Sequence, residues 1–202
     1  MLVLGLTGPT GSGKGVVGRI LAAENIPCLD TDAVYHELIS APSACTEELK
    51  AHFGETIVTA CGAIDRKKLA DIVFGDTQAR EERLSLLNRI THHYVLDTCR
   101  HWLRLQEREG KRAAVIDAPL LFESGFHEEC DYVIAVLAQR QTRLARILLR
   151  DGITEEAAER RIAAQPNDAF YTEKADFIIQ NNGEIKAVEQ DVLQVLRQLS
   201  IR

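Results

Sequence analysis

The sequence predicts an α/β fold built on a five-stranded parallel sheet with an inserted helical lobe. Three observations carry this expectation. Short, nearly continuous apolar runs alternate with longer helical patterns, as in a parallel sheet covered on both faces. A glycine-rich segment ending in Lys14 lies between the first apolar run and the first helical pattern. About eighty residues between the second and third apolar runs read almost entirely as helix, where a plain crossover needs only a dozen or so.

In chain order, strands are expected over residues 2–6, 26–29, 113–116, 132–137 and 176–179. The first helix runs over about 14–24, with Val17, Ile20 and Leu21 facing the sheet. A second helix begins at Asp32, whose carboxylate is placed to cap it. Leu84, Leu87, Ile90 and Tyr94 form one stripe of a long helical segment reaching about Glu109. This inserted stretch either grips a substrate or adds packing helices. The last helix spans about 184–199, with Ile185, Val188, Val192, Val195 and Leu199 at helical spacing.

A chain of 202 residues, 46% hydrophobic and 27% charged, corresponds to one folded domain with a sizeable core. The net charge of −6 argues against a nucleic-acid coat or a membrane-surface protein. No apolar run is long enough to span a bilayer, and "MLVLGLTG" lacks the basic leader of a secretory signal. Five scattered cysteines, none in a CxxC pair, fit reduced thiols in a cytoplasmic protein. His92-His93 has no Cys or carboxylate partners at zinc-ligand spacing.

The sharpest motif is Gly8-Pro9-Thr10-Gly11-Ser12-Gly13-Lys14, a G-x-x-x-x-G-K segment after a strand and before a helix. Its glycines let successive N–H groups turn inward toward phosphate oxygens. The helix N-terminus adds partial positive charge. Lys14 can reach the β- and γ-phosphates of a nucleotide. The alternative is an ordinary glycine-rich turn. After Lys14, where a Ser or Thr usually ligates Mg²⁺, stand Gly15 and Val16. Either the ion is held by phosphates, waters and a carboxylate, or metal-dependent catalysis is weakened.

Asp30-Thr31-Asp32 ends the second strand, and strand C-termini line the ligand crevice of such sheets. Asp32 is therefore a candidate general base for an attacking hydroxyl, or a helix cap alone. His36, one turn later, would join the same site or be a surface histidine. Asp117 ends an apolar strand and could hold the water shell of Mg²⁺. Beyond it, Leu120, Leu121, Phe122 and Glu123 suit a wall against an acceptor or a buried loop. Arg143, Arg146 and Arg150 share one helix face. They form either a phosphate clamp or a solvated face paired with Glu155, Glu156 and Glu159.

Taken together, Gly5-Leu6-Thr7-Gly8…Gly13-Lys14, Asp30-Thr31-Asp32 with His36, Phe53-Gly54, Ile64-Asp65-Arg66 with Leu69, Pro119-Leu120-Leu121-Phe122-Glu123, Arg150-Asp151, Ala164-Gln165 and Ala175-Asp176 leading to Asn181 resemble the dephospho-CoA kinase family over essentially the full chain. The resemblance implies a P-loop three-layer fold in a single kinase domain. Its core would be about 1–31, 111–138 and 175–202, with a helical substrate lobe at about 32–110 and a lid at about 139–174. It implies transfer of the ATP γ-phosphate to the ribose 3′-hydroxyl of dephospho-CoA, with Mg²⁺ accompanying ATP. By position, Gly11, Ser12, Gly13, Lys14, Gly15 and Val16 would bind ATP phosphates, with Arg143, Arg146 and Arg150 contributing from the lid and Asn181 near the adenine. Asp32 would be the base, with Lys14 and Arg146 completing the catalytic set. His36, Arg66, Leu69, His92 and residues 120–123 would lie toward dephospho-CoA, and Gln165 near the lid. Gly15 departs from the family's Ser or Thr, and His93 from its usual Pro. Other readings of the same loop are a nucleoside monophosphate or other small-metabolite kinase, and a nucleotide-binding protein without catalysis.

Overall fold

The computed structural model describes residues 1–75 and 79–201. The chain runs β1 (Leu2–Thr7), α1 (Lys14–Ala23), β2 (Cys28–Asp30), α2 (Thr31–Ser40), α3 (Ala44–Phe53), α4 (Arg66–Phe74), α5 (Arg80–Arg108), β3 (Ala113–Asp117), β4 (Tyr132–Leu137), α6 (Arg140–Asp151), α7 (Glu155–Ala163), α8 (Asp168–Thr172), β5 (Phe177–Gln180) and α9 (Ile185–Gln198). Among the described residues the five strands form one parallel sheet in the order β2-β3-β1-β4-β5. The register pairs Leu2 with Ala113, Leu4 with Tyr132, and Ile134 with Phe177. The connection from β1 runs to β2 on one side and that from β3 runs to β4 on the other, so the loops after the neighbouring strands β1 and β3 emerge at the point where the strand order reverses. That point is where open parallel sheets bind ligands.

The chain forms two compact units, Met1–Leu29 with Leu103–Arg202, and Asp30–Trp102. The first holds the sheet. Leu4, Leu6, Val115, Ile134, Val136 and Ile179 of the strands pack with Val17 and Leu21 of α1 and Val188, Val192 and Leu196 of α9. Burying each such side chain contributes about 1.5–3 kcal/mol. The second unit is helical around Ile39, Cys45, Leu49, Phe53, Ile57, Ile64, Leu69, Val73 and Ile90.

Three local expectations shift. β2 starts at Cys28 rather than 26, because the Ile26 N–H closes onto the Leu21 carbonyl at 3.0 Å and ends α1. β5 starts at Phe177, because the Asp176 carboxylate instead takes the Val133 N–H at 2.7 Å. The cap of α2 is Asp30, not Asp32. Its Oδ1 accepts the N–H groups of Asp32 at 2.8 Å and Ala33 at 3.4 Å. The helix begins at Thr31, so the residue before it has the extended backbone a cap requires, and Asp32 lies in the first turn.

Candidate active site

The loop between β1 and α1 turns on glycines whose φ angles favour that residue: 142° at Gly8, 77° at Gly11 and 90° at Gly13. A Cβ at Gly8 would come 2.2 Å from the Val136 carbonyl oxygen, and one at Gly13 would come 2.2 Å from Asn181 Nδ2. The loop therefore lies tight against β4 and against the segment after β5. α1 opens at Lys14 with no side-chain cap and no acidic residue in its first turn. Val16 N–H bonds Gly13 O at 2.9 Å. The earlier amides of a helix have no carbonyl four residues back, which leaves Lys14 and Gly15 N–H for an anion.

What fixes the loop is a set of donors on its carbonyl side. Arg143 Nε donates to Thr10 O at 2.9 Å. Arg146 Nη1 donates to Gly11 O at 3.3 Å and Ser12 O at 3.1 Å. Asn181 Nδ2 donates to Ser12 O at 2.9 Å, and its Oδ1 accepts from Arg146 Nη2 at 3.1 Å. Three successive carbonyls are thus neutralised by two guanidiniums and an amide. The partial negative charge that would repel a phosphate is drawn to this side of the loop. Lys14 Nζ rests 3.5 Å from Gly8 O, folded over the loop.

Ser12 Oγ is buried without a hydrogen-bond partner. A buried hydroxyl left unsatisfied destabilises a fold by about 1–3 kcal/mol, which is expected where a ligand completes the site. Ser12→Ala is expected to leave the melting temperature of the nucleotide-free protein unchanged or slightly raised while weakening ATP binding. Calorimetry of both quantities checks it, and a clear loss of nucleotide-free stability would contradict it.

The three-arginine stripe divides. Arg143 is buried, and that burial pulls its pKa down, offset by Asp168 at 3.8 Å. Arg146 is half-buried on the loop. Arg150 is exposed and holds Asp151 through Nε at 2.7 Å and Nη2 at 3.0 Å. The glutamate pairing goes instead to Arg140, which bonds Glu159.

Asp117 ends β3 on the same unit. The nearby Cys28 thiol is pushed up to about 12 by burial, with the Asp117 charge adding to it, so it stays protonated. In the segment after β3, Leu121 and Phe122 are core residues, whereas Leu120 is 49% exposed and Glu123 is exposed. Phe122 stacks edge-on against Phe170 and His127, and Lys174 Nζ lies 4.2 Å over the Phe170 ring. Tyr171, pushed up to about 12 by burial and by Glu123, completes this aromatic wall. Phe170 and Tyr171 belong to none of the motifs that mark the site in the sequence, although an aromatic pair in a chain with only 5% aromatics is a visible signal.

In the helical unit, Asp32, His36 and Arg66 are exposed. Arg66 opens α4, which Asp65 caps. Leu69 is 3% exposed and belongs to that unit's core. His92 is half-buried on α5, and burial pulls its pKa down, which favours the neutral ring.

Comparison with known proteins shows what this sequence and fold are similar to. The sequence profile of a family described as dephospho-CoA kinase matches residues 2–187. A dephospho-CoA kinase of Shouchella clausii is 35% identical over 193 residues, covering 96% of each chain. The crystal structure of a Thermus thermophilus protein superposes with a TM-score of 0.80 at 30% identity, covering 98% of this chain and 97% of that one. A Campylobacter jejuni dephospho-CoA kinase superposes with a TM-score of 0.72 at 26% identity, covering 98% and 96%.

Proposed function

Since the chain belongs to the dephospho-CoA kinase family, an ATP-dependent phosphotransferase with an alcohol acceptor, we propose the following division of labour among its residues. The observation that carries it is the uncapped, glycine-shaped start of α1 with its carbonyls held from the opposite side. The loop of Gly11, Ser12, Gly13, Lys14, Gly15 and Val16 binds the ATP phosphates, with the Lys14 and Gly15 amides directed at the anion because the Ser12 and Val16 N–H groups already bond Pro9 O and Gly13 O. Lys14 leaves its weak contact with Gly8 O and follows the charge that develops between the β- and γ-phosphates. Asp32 takes the proton of the ribose 3′-hydroxyl of dephospho-CoA. The freed oxygen attacks the γ-phosphorus, the bond from that phosphorus to the bridging oxygen breaks, and ADP departs. Arg146 keeps positive charge at the loop, and Arg150 meets phosphate by exchanging its Asp151 partner. Arg143 and Asn181 shape the loop from its carbonyl side. His36, Arg66, His92, Leu120 and Glu123 contribute to the acceptor side. Leu69, Leu121 and Phe122 support it through packing. Residues 139–174 act as the lid and the helical unit as the acceptor lobe.

Magnesium fits this donor set as a phosphate-bound, hydrated ion. No group of three or more His, Cys, Asp or Glu capable of holding a metal occurs among the described residues, while Asp117 offers one hard oxygen ligand at a strand end. When bound, magnesium neutralises charge on the β- and γ-phosphate oxygens. Gly15 lies in α1 without a left-handed φ, and an added Cβ would meet nothing closer than Arg19 Nη1 at 3.8 Å. Gly15→Ser is therefore expected to fold normally and to lower the Mg²⁺ concentration for half-maximal activity several-fold. A magnesium titration that superposes on the parent's would contradict the metal placement.

The five scattered cysteines and the net negative charge support a cytoplasmic enzyme that takes no nucleic acid, and no helix among the described residues is long and apolar enough to cross a membrane. The deciding assay supplies ATP, Mg²⁺ and dephospho-CoA, with AMP, CMP and shikimate as competing acceptors. ADP formation only with dephospho-CoA is the expected result. Absence of turnover beside an active reference kinase, or preference for another acceptor, would overturn it.

A further inference from the structure

We propose that Gln165 is a positioning residue for the phosphate loop, gripping Thr10 through one side-chain oxygen. Gln165 Oε1 accepts the Thr10 N–H at 2.8 Å and Arg143 Nη2 at 3.4 Å. Arg143 Nε in turn holds Thr10 O at 2.9 Å. Both main-chain groups of one loop residue are thus fixed by two side chains that lie 155 and 133 positions away in sequence. Two donors converge on the same Gln165 atom, which identifies it as the amide oxygen.

The residue is itself well anchored. It follows Ala164, the last residue of the α7 turn, its N–H bonds Ile162 O at 3.2 Å, and Pro166 fixes the backbone that continues from it. Arg143 is buried and reaches Asp168 at 3.8 Å, so the grip joins the loop to α6, to the end of α7 and to the start of α8. The loop needs such a hold. Gly8, Gly11 and Gly13 give it a large conformational entropy when unrestrained. A ligand that must first order its own site loses affinity to that ordering. Gln165 removes this cost on the nucleotide side only and has no reason to affect the acceptor.

The inference rests on the loop being the ATP site, and the test separates the two ideas. The Gln165→Ala variant is expected to speed hydrogen exchange of the Thr10 amide by about tenfold or more in nucleotide-free protein. It should weaken ATP binding by about tenfold, the scale of a lost hydrogen bond to an ordered group, with the KM for dephospho-CoA unchanged. Gln165→Glu keeps an oxygen at the same reach and adds charge opposite Arg143, so both readouts should stay within about twofold of the parent. Gln165→Asn, one methylene shorter, should behave like the alanine variant and serves if the latter fails to fold. Unchanged Thr10 exchange in the alanine and asparagine variants would overturn the proposal. So would equal damage from Gln165→Glu, and so would faster exchange with unaltered ATP affinity. A parent protein that binds no ATP would instead sink the reading of the loop, while exchange at Thr10 would still report the grip.

Discussion

Lys14→Ala lowers the single-turnover rate of phosphoryl transfer by about 10²–10³-fold, the effect of withdrawing one preorganised charge from a transition state. The fold should not notice. Among the described residues Lys14 Nζ makes one long hydrogen bond, 3.5 Å to Gly8 O, and carries none of those that hold the Thr10, Gly11 and Ser12 carbonyls. Far-ultraviolet circular dichroism and the melting temperature should therefore match the parent. ATP affinity should fall less than the rate, because the loop amides and the helix N-terminus still attract the triphosphate. A variant that retains parental turnover would show that the charge needed by the leaving phosphate comes from elsewhere, with Arg146 the next residue to replace.

Asp32→Asn lowers kcat by about 10²–10⁴-fold, the range of a general base removed from a proton transfer, with the Kd for ATP within about twofold of the parent. The substitution is a clean one because Asp30, not Asp32, caps α2. The amide keeps the shape of the carboxylate, and the helix keeps its cap. The only structural change expected is the loss of a first-turn charge, about 0.3–1 kcal/mol. Isothermal titration with ATP and steady-state kinetics with dephospho-CoA separate the two effects. An equal loss of ATP affinity would move Asp32 from the acceptor side to the nucleotide side.

Much of this was legible in the sequence where the signal was local. Glycine spacing, an apolar run before it and a helical pattern after it placed β1, the loop and α1, because turn chemistry is written in adjacent residues. β3 and β4 were readable as uninterrupted apolar runs, covered on both faces. The cap of α2 was displaced by two residues, since Asp30 and Asp32 carry the same side chain and only the backbone says which precedes the helix. The arginine stripe was visible as spacing, but its division was not. Whether Arg143, Arg146 or Arg150 reaches the loop depends on carbonyls more than 130 positions away for the first two and on a neighbouring aspartate for the third. Leu69, Leu121 and Phe122 stand at the sites where motif and burial coincide, and their burial says that packing is part of their role. Asn181 likewise spends its amide on Ser12 O, 169 positions away, a partner no spacing rule could indicate.

The most direct measurement is a crystal structure with a non-hydrolysable ATP analogue and dephospho-CoA bound together. Phosphate oxygens are expected within hydrogen-bond distance of the Gly13, Lys14 and Gly15 amides, and the ribose 3′-hydroxyl between the γ-phosphate and the Asp32 carboxylate. A triphosphate seated away from the loop, or a 3′-hydroxyl facing any side chain but Asp32, would contradict this arrangement.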